Sequence, residues 1–164
     1  MTRNEEIKML TEKLKDIRIA MLTTVSQDGV LYSRPMGTQA VDPEGVLWFF
    51  TQDPSPKIHA IEADQHINVA YSDEKSSVWV SVAGKATIVH DQAKINELWT
   101  PAMKAWFPEG KDDPKIALIR IDIESAQIWD SPGKVVELIA FAKSIATGKT
   151  IDNDSYTKKI DLRH

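Results

Sequence analysis

Residues 46–57 read VLWFFTQDPSPK, and this stretch decides the fold. Val46–Thr51 is a β-favouring run, and Gln52-Asp53-Pro54 breaks it. Ser55 then suits a helix N-cap and Pro56 the first helical position, with Ile58 and Ile61 facing inward. A capped helix start offers free backbone N–H groups and the positive end of the helix dipole. Lys57 in that first turn opposes the dipole, an arrangement that makes sense where a doubly charged anion such as a phosphate monoester is held. The alternative is a plain capped helix with a solvated lysine.

Working outward, the strand at 46–51 has two predicted strands before it. Ile19–Val25 (IAMLTTV) leads through the turn Gln27-Asp28-Gly29 into a strand from Val30 to about Ala40, and Asp42-Pro43-Glu44-Gly45 turns the chain again. The three strands read as an antiparallel meander. Before them, Thr2-Arg3-Asn4-Glu5 forms a capping box, and Ile7, Leu10, Leu14 and Ile17 follow at helical spacing, giving an amphipathic helix over residues 1–18.

After the central helix, Ile67–Ser72 and Val78–Val89 are strands, and Gly84 marks a bulge or a close backbone approach. Asp91 caps a helix in which Ile95, Leu98, Trp99, Ala102 and Trp106 share one face. Ala117–Glu124 alternates, with Ile119, Ile121 and Ile123 on one side and Arg120, Asp122 and Glu124 on the other. Beyond Trp129 and Asp130-Ser131-Pro132-Gly133, a last helix carries Val135, Leu138, Ile139, Ala142 and Ile145, and residues 150–164 read as a loose tail. Six or seven short strands with helices at the start, middle and end describe one mainly β domain with flanking helices (α+β). Tight turns favour a closed, Greek-key-like antiparallel barrel over an open βαβ sheet.

Composition narrows the function. The 164 residues carry a net charge of −4, which argues against nucleic-acid or anionic-membrane partners. With no cysteine, disulfides, thiolate metal sites and cysteine nucleophiles are excluded. The four histidines show no metal-ligand spacing. No basic start with an apolar run follows Met1, and no segment has the length of a membrane span, so cytoplasmic residence is expected. Neither G-x-S-x-G, a P-loop nor G-x-G-x-x-G occurs. An enzyme of this sequence would need a bound cofactor to carry its chemistry.

Two further groups of residues join Ser55-Pro56-Lys57 as candidates. In Ser33-Arg34-Pro35-Met36, the arginine either points to water or reaches a phosphate, and Pro35 removes a ladder donor, so this strand belongs at an edge or beside a bulge. A free edge can offer its N–H and C=O groups to a heterocycle. Among the five tryptophans, Trp99 and Trp106 have core spacing. Trp79 faces opposite to Val78, Val80 and Val82, and Trp129 precedes a turn, where an aromatic lids a pocket or an interface.

Taken in order, several segments resemble the FMN-binding split-barrel superfamily, in its branch of bacterial general stress proteins similar to pyridoxamine 5′-phosphate oxidase. They are MLTT (21–24), DG (28–29), SRPM (33–36), WFFT (48–51), SPK (55–57), VSVAGKA (80–86) and IWDSPGK (128–134), then FAK and TGK. The resemblance implies a split β-barrel homodimer holding FMN noncovalently at the subunit interface. It places Arg34, Pro35 and Met36 along the flavin ring and ribityl chain, Phe50 and Thr51 at the ring edge, and Ser55 and Lys57 on the phosphate. Trp79 falls where the oxidases have a polar residue at the flavin, and a tryptophan like Trp129 reaches the cofactor from the partner subunit. Where the oxidases have a substrate-gripping arginine, ten residues past Trp129, stands Ile139, so vitamin B6 oxidation is not expected. The implied activity is a flavin-dependent oxidoreductase with a small substrate and a nicotinamide donor. The rival readings are a protein that sequesters or senses flavin, and a split barrel built for haem or a deazaflavin.

Overall fold

The computed structural model describes residues 1–39, 41–152 and 156–163. Ala40, the far end of the second predicted strand, and His164 lie outside the described residues, as do positions 153–155 of the predicted tail. Seven strands form one antiparallel sheet: β1 (Ile19–Val25), β2 (Leu31–Gly37), β3 (Val46–Gln52), β4 (His66–Asp73), β5 (Val78–Val89), β6 (Ile116–Asp130) and β7 (Thr157–Asp161). Four α-helices accompany them: α1 (Arg3–Leu14), α2 (Pro56–Ala63), α3 (Gln92–Leu98) and α4 (Lys134–Thr147). The strand order is β2-β1-β4-β5-β6-β3, with β7 added on β6. The sheet curls around a core, and β2 and β3 at its two ends share no ladder. The barrel is therefore split, not closed as the strand spacing predicts.

The first and second strands pair as expected, from Ile19↔Gly37 to Val25↔Leu31. The third does not complete a meander. It pairs with β6 from Val46↔Asp122 to Gln52↔Ile116, because both segments are apolar on both faces. Leu47 and Phe49 enter the main core beside Ile119 and Ile121, while Val46 and Trp48 meet Ile95, Phe107 and Leu118 in a second cluster. Only a partner strand that is covered on both sides accepts such a run.

At Gly84 the register of β5 against β6 shifts, leaving Glu124 as the extra residue between Ser125 and Ile123. A Cβ at Gly84 would lie 2.3 Å from the Asp122 carbonyl oxygen, so only glycine permits this approach. The bulge also divides the other edge of β6. Residues 116–122 pair with β3, and residues 125–129 pair with β7.

That last pairing corrects the loose tail. Residues 157–161 form β7, and Ile160 and Leu162 are buried in the main core. The first helix has its capping box and buries Ile7, Leu10 and Leu14, but it stops at Lys15 and not at residue 18. The Asp91-capped helix is also shorter than predicted. Thr100-Pro101 ends it, because the residue before a proline is pushed out of the helical region. Trp106 consequently leaves the apolar face and is 69% exposed.

Candidate functional site

The split end of the sheet is organised by the start of α2. The Ser55 side chain accepts from the Ile58 N–H at 3.4 Å, Pro56 occupies the first turn, and Ile58 and Ile61 anchor the helix in the interior. The preceding loop is tied down by Asp53, whose N–H donates to the Lys115 carbonyl at 2.8 Å and whose carboxylate meets His90 at 2.8 Å. Lys57 is thereby held half-buried at the helix start. Burial pushes its pKa below the ordinary 10.5, and the nearby Arg34 charge pushes it further down.

Arg34 comes from β2 on the strand face shared with Met36, which is buried in the core. Its guanidinium donates to the Thr24 hydroxyl at 2.7 Å and to the Leu22 carbonyl at 3.3 Å. Burial lowers its pKa as well. Among the described residues, no ion pair joins Arg34 or Lys57 to a carboxylate. Two half-buried cations that repel each other and lack an acid make an electrostatic vacancy suited to an anion.

Four residues before Ser55, Thr51 near the end of β3 has its hydroxyl buried and without a hydrogen-bond partner. Its side chain lies on the Leu47/Phe49 side of the strand, toward the interior. A buried hydroxyl left unpaired costs about 1–3 kcal/mol, so a group that reaches it gains that much. Beside it, β2 and β3 each present one unpaired main-chain edge to the split.

The other predicted residues are distributed differently. Pro35 turns outward, and Phe50 packs its ring against Trp99 and Phe107 in the second cluster, with centroids 6.1 and 6.3 Å away. Of Pro35, Met36 and Phe50, only the main chain borders the split. Trp79 and Trp129 stand directly opposite each other on β5 and β6, on the outer face of the sheet. With Ser131 and Tyr156 they border a hollow of about 420 Å³. It lies near the far end of β5 from Gly84, which pairs with Ile67 beneath the Thr24 hydroxyl. Within one protomer the tryptophans therefore do not join the cation pair.

Thr24 is the residue that sequence reasoning missed. It is fully buried and takes the best hydrogen bond of Arg34. Its inward alternation with Ala20 and Leu22 was the available signal.

Residues 5–152 match the family described as "Pyridoxamine 5′-phosphate oxidase like". The chain belongs to this family. Within it, several relatives carry the name general stress protein. General stress protein 26 of Bacillus subtilis is 31% identical over 70 residues, 42% of this chain and 49% of the relative. Protein bli-3 of Neurospora crassa is 31% identical over 157 residues, 89% of this chain and 75% of its own length. The general stress FMN/FAD binding protein of Xanthomonas citri superposes with a TM-score of 0.68 at 31% identity, covering 81% of this chain and 93% of that one. A Clostridium acetobutylicum protein related to general stress protein 26 shares the fold over 98% of this chain and 97% of its own, with a TM-score of 0.71 at 16% identity. The split barrel of the pyridoxamine-phosphate-oxidase-like general stress branch is thus the fold of this chain.

Proposed function

We propose that this chain binds FMN noncovalently as a homodimer and works as a flavin-dependent oxidoreductase on a small substrate. The observation that carries the reading is the Arg34 and Lys57 pair, two half-buried cations at a helix start with no carboxylate between them. A phosphate dianion offsets both charges and accepts from the helix start. The Thr51 hydroxyl, orphaned and buried, supports the fit, because a flavin lying between the free edges of β2 and β3 reaches it. The FMN/FAD binding of the Xanthomonas citri relative agrees with this.

Bound there, FMN supplies two-electron redox chemistry. The chain's own residues position it: Ser55 caps the helix whose start holds the phosphate, and Arg34 is steadied by Thr24. Main-chain groups around Met36 and Thr51 address the ring. Trp79 and Trp129 lie on the outer face, so they cover the flavin of a partner subunit and not their own. Ile139, exposed on α4, cannot grip a phosphorylated substrate as an arginine would, which separates this activity from vitamin B6 oxidation.

Lys57→Glu tests the reading by placing a carboxylate beside the phosphate. FMN affinity should fall at least tenfold while riboflavin, which lacks the phosphate, binds unchanged. Equal losses for both ligands would remove the phosphate assignment. Anaerobic NADH or NADPH added to the FMN-loaded dimer should bleach the flavin absorbance. Persistent colour with both donors would favour the sequestering reading over the enzyme.

A further inference from the structure

None of the residues of α4 is buried. Val135, Leu138, Ile139 and Ile145 recur at helical spacing and are 62–73% exposed, forming an apolar stripe without a charge. The opposite side of the helix, with Ile151 and Tyr156, borders a hollow of about 280 Å³.

A second apolar patch lies on the outer face of the β1–β2 hairpin, where Ile19, Met21, Leu31 and Pro35 face away from the core. Charged residues rim it at the Ile19 end, where Asp16, Arg18, Asp73, Glu74 and Lys75 border a hollow beside it. In the same chain β5 and β4 separate β6 from this hairpin. Among the described residues, five of the sixteen exposed large apolar residues lie on the hairpin, three of them (Ile19, Met21 and Leu31) in this patch, and six lie on α4.

We infer that a second copy of this chain lays the apolar stripe of its α4 across the outer face of the β1–β2 hairpin, and receives the same contact in return. The inference rests on the homodimer proposed above and says which surfaces build it. A two-fold axis lets two different patches on one chain satisfy each other, twice per dimer. At roughly 60–120 Å² for each buried large apolar side chain, the two patches give on the order of 800 Å² per subunit, the size of a stable interface. Apolar patches of this extent, rimmed by polar groups, are rare on monomeric surfaces. The contact also bears on the proposed site. Pro35 alternates with Arg34 and Met36 on β2, so the partner's helix lies against the back of the strand that carries the guanidinium.

The absence of cysteine allows a direct test. The Leu31→Cys/Leu138→Cys variant, prepared as a mixture of ¹⁴N- and ¹⁵N-labelled chains, is treated with a short bis-maleimide. Crosslinked peptides should join one ¹⁴N to one ¹⁵N chain, and neither single variant should yield the pair. Light scattering that gives a dimer with no 31–138 crosslink would overturn this contact and leave the dimer standing. Crosslinks confined to one isotope would show α4 folded onto its own hairpin, also overturning it. A monomeric mass would remove the dimer itself. Independently, Leu138→Glu should raise the dimer dissociation midpoint at least tenfold with unchanged far-ultraviolet circular dichroism. An unshifted midpoint would count against the contact.

Discussion

At the split end of the sheet, Arg34 and Lys57 approach each other with no acid between them. On the outer side of β3 and β6, Arg120 and Lys94 flank the Trp48 ring, 5.7 and 4.9 Å from its centroid. There every charge has a partner. Arg120 donates to Asp122 at 2.9 Å, Lys94 pairs with Glu97 at 3.2 Å, and the Trp48 indole donates to Asp42 at 3.2 Å. The hydrogen bond to Asp122 raises the Arg120 pKa, whereas burial lowers that of Arg34. The same residue type is thus stabilised in one region and strained in the other. An unneutralised, half-buried pair of cations marks a candidate binding site, while a neutralised pair explains itself by packing.

The double variant Arg34→Met/Lys57→Met should break this contrast most severely. In the proposed complex this removes two charge-assisted hydrogen bonds to the phosphate, each worth about 1.5–3 kcal/mol, so FMN affinity should fall roughly a hundredfold or more. The matched variant Lys94→Met/Arg120→Met should leave FMN affinity unchanged and cost about 1–2 kcal/mol of stability, from partly buried ion pairs and their contacts with the Trp48 ring. Titration calorimetry with FMN and thermal melts of both variants would check this. Similar flavin losses in the two would erase the distinction.

Lys57→Met alone should change sign with the ligand. Without flavin the variant should melt above the parent, because a half-buried ammonium is gone. With excess FMN it should melt below, since saturation at a hundred times Kd adds about 2.7 kcal/mol that the variant largely forfeits. The pH dependence of the flavin-free pair follows from the lowered Lys57 pKa. The folded chain gives up that proton more readily than the unfolded one, so the burial penalty is full at neutral pH. It is relieved as pH rises through the folded value toward 10.5, and the melting gap should narrow there. A gap constant up to that pH would mean Lys57 is already solvated.

Thr51→Val should give the smallest effect. The substitution keeps the shape and removes the orphan hydroxyl, so the flavin-free protein should be unchanged or up to about 1 kcal/mol more stable. FMN affinity should fall about three- to tenfold. A flavin-free protein destabilised by more than 1 kcal/mol would show that the hydroxyl already has a partner.

Much of this arrangement was legible in the chain. The Ser55-Pro56 helix start, the edge position of the Pro35 strand and the Gly84 bulge each follow from local backbone chemistry. Other elements were not. The β7 segment Thr157-Lys158-Lys159-Ile160-Asp161 has one large apolar residue and no alternation, and becomes a strand only because β6 leaves an open edge beyond the bulge. Trp106 keeps helical spacing in the sequence yet is expelled by Pro101, five residues before it.

What the sequence by itself determined were the local events: caps, turns, breaks, apolar runs and the presence of Arg34, Thr51 and Lys57. Only the tertiary structure decided which of them meet. Pairing β3 with β6 instead of β2 opens the split, and that opening sets Lys57 against Arg34 with no carboxylate nearby. The physical reason is that strand pairing is chosen by burial on both faces of an apolar run, a property of the whole sheet. The same holds for the two tryptophans. Their period places them on one face, but the register Trp79↔Trp129 and the direction of that face are set by five other strands.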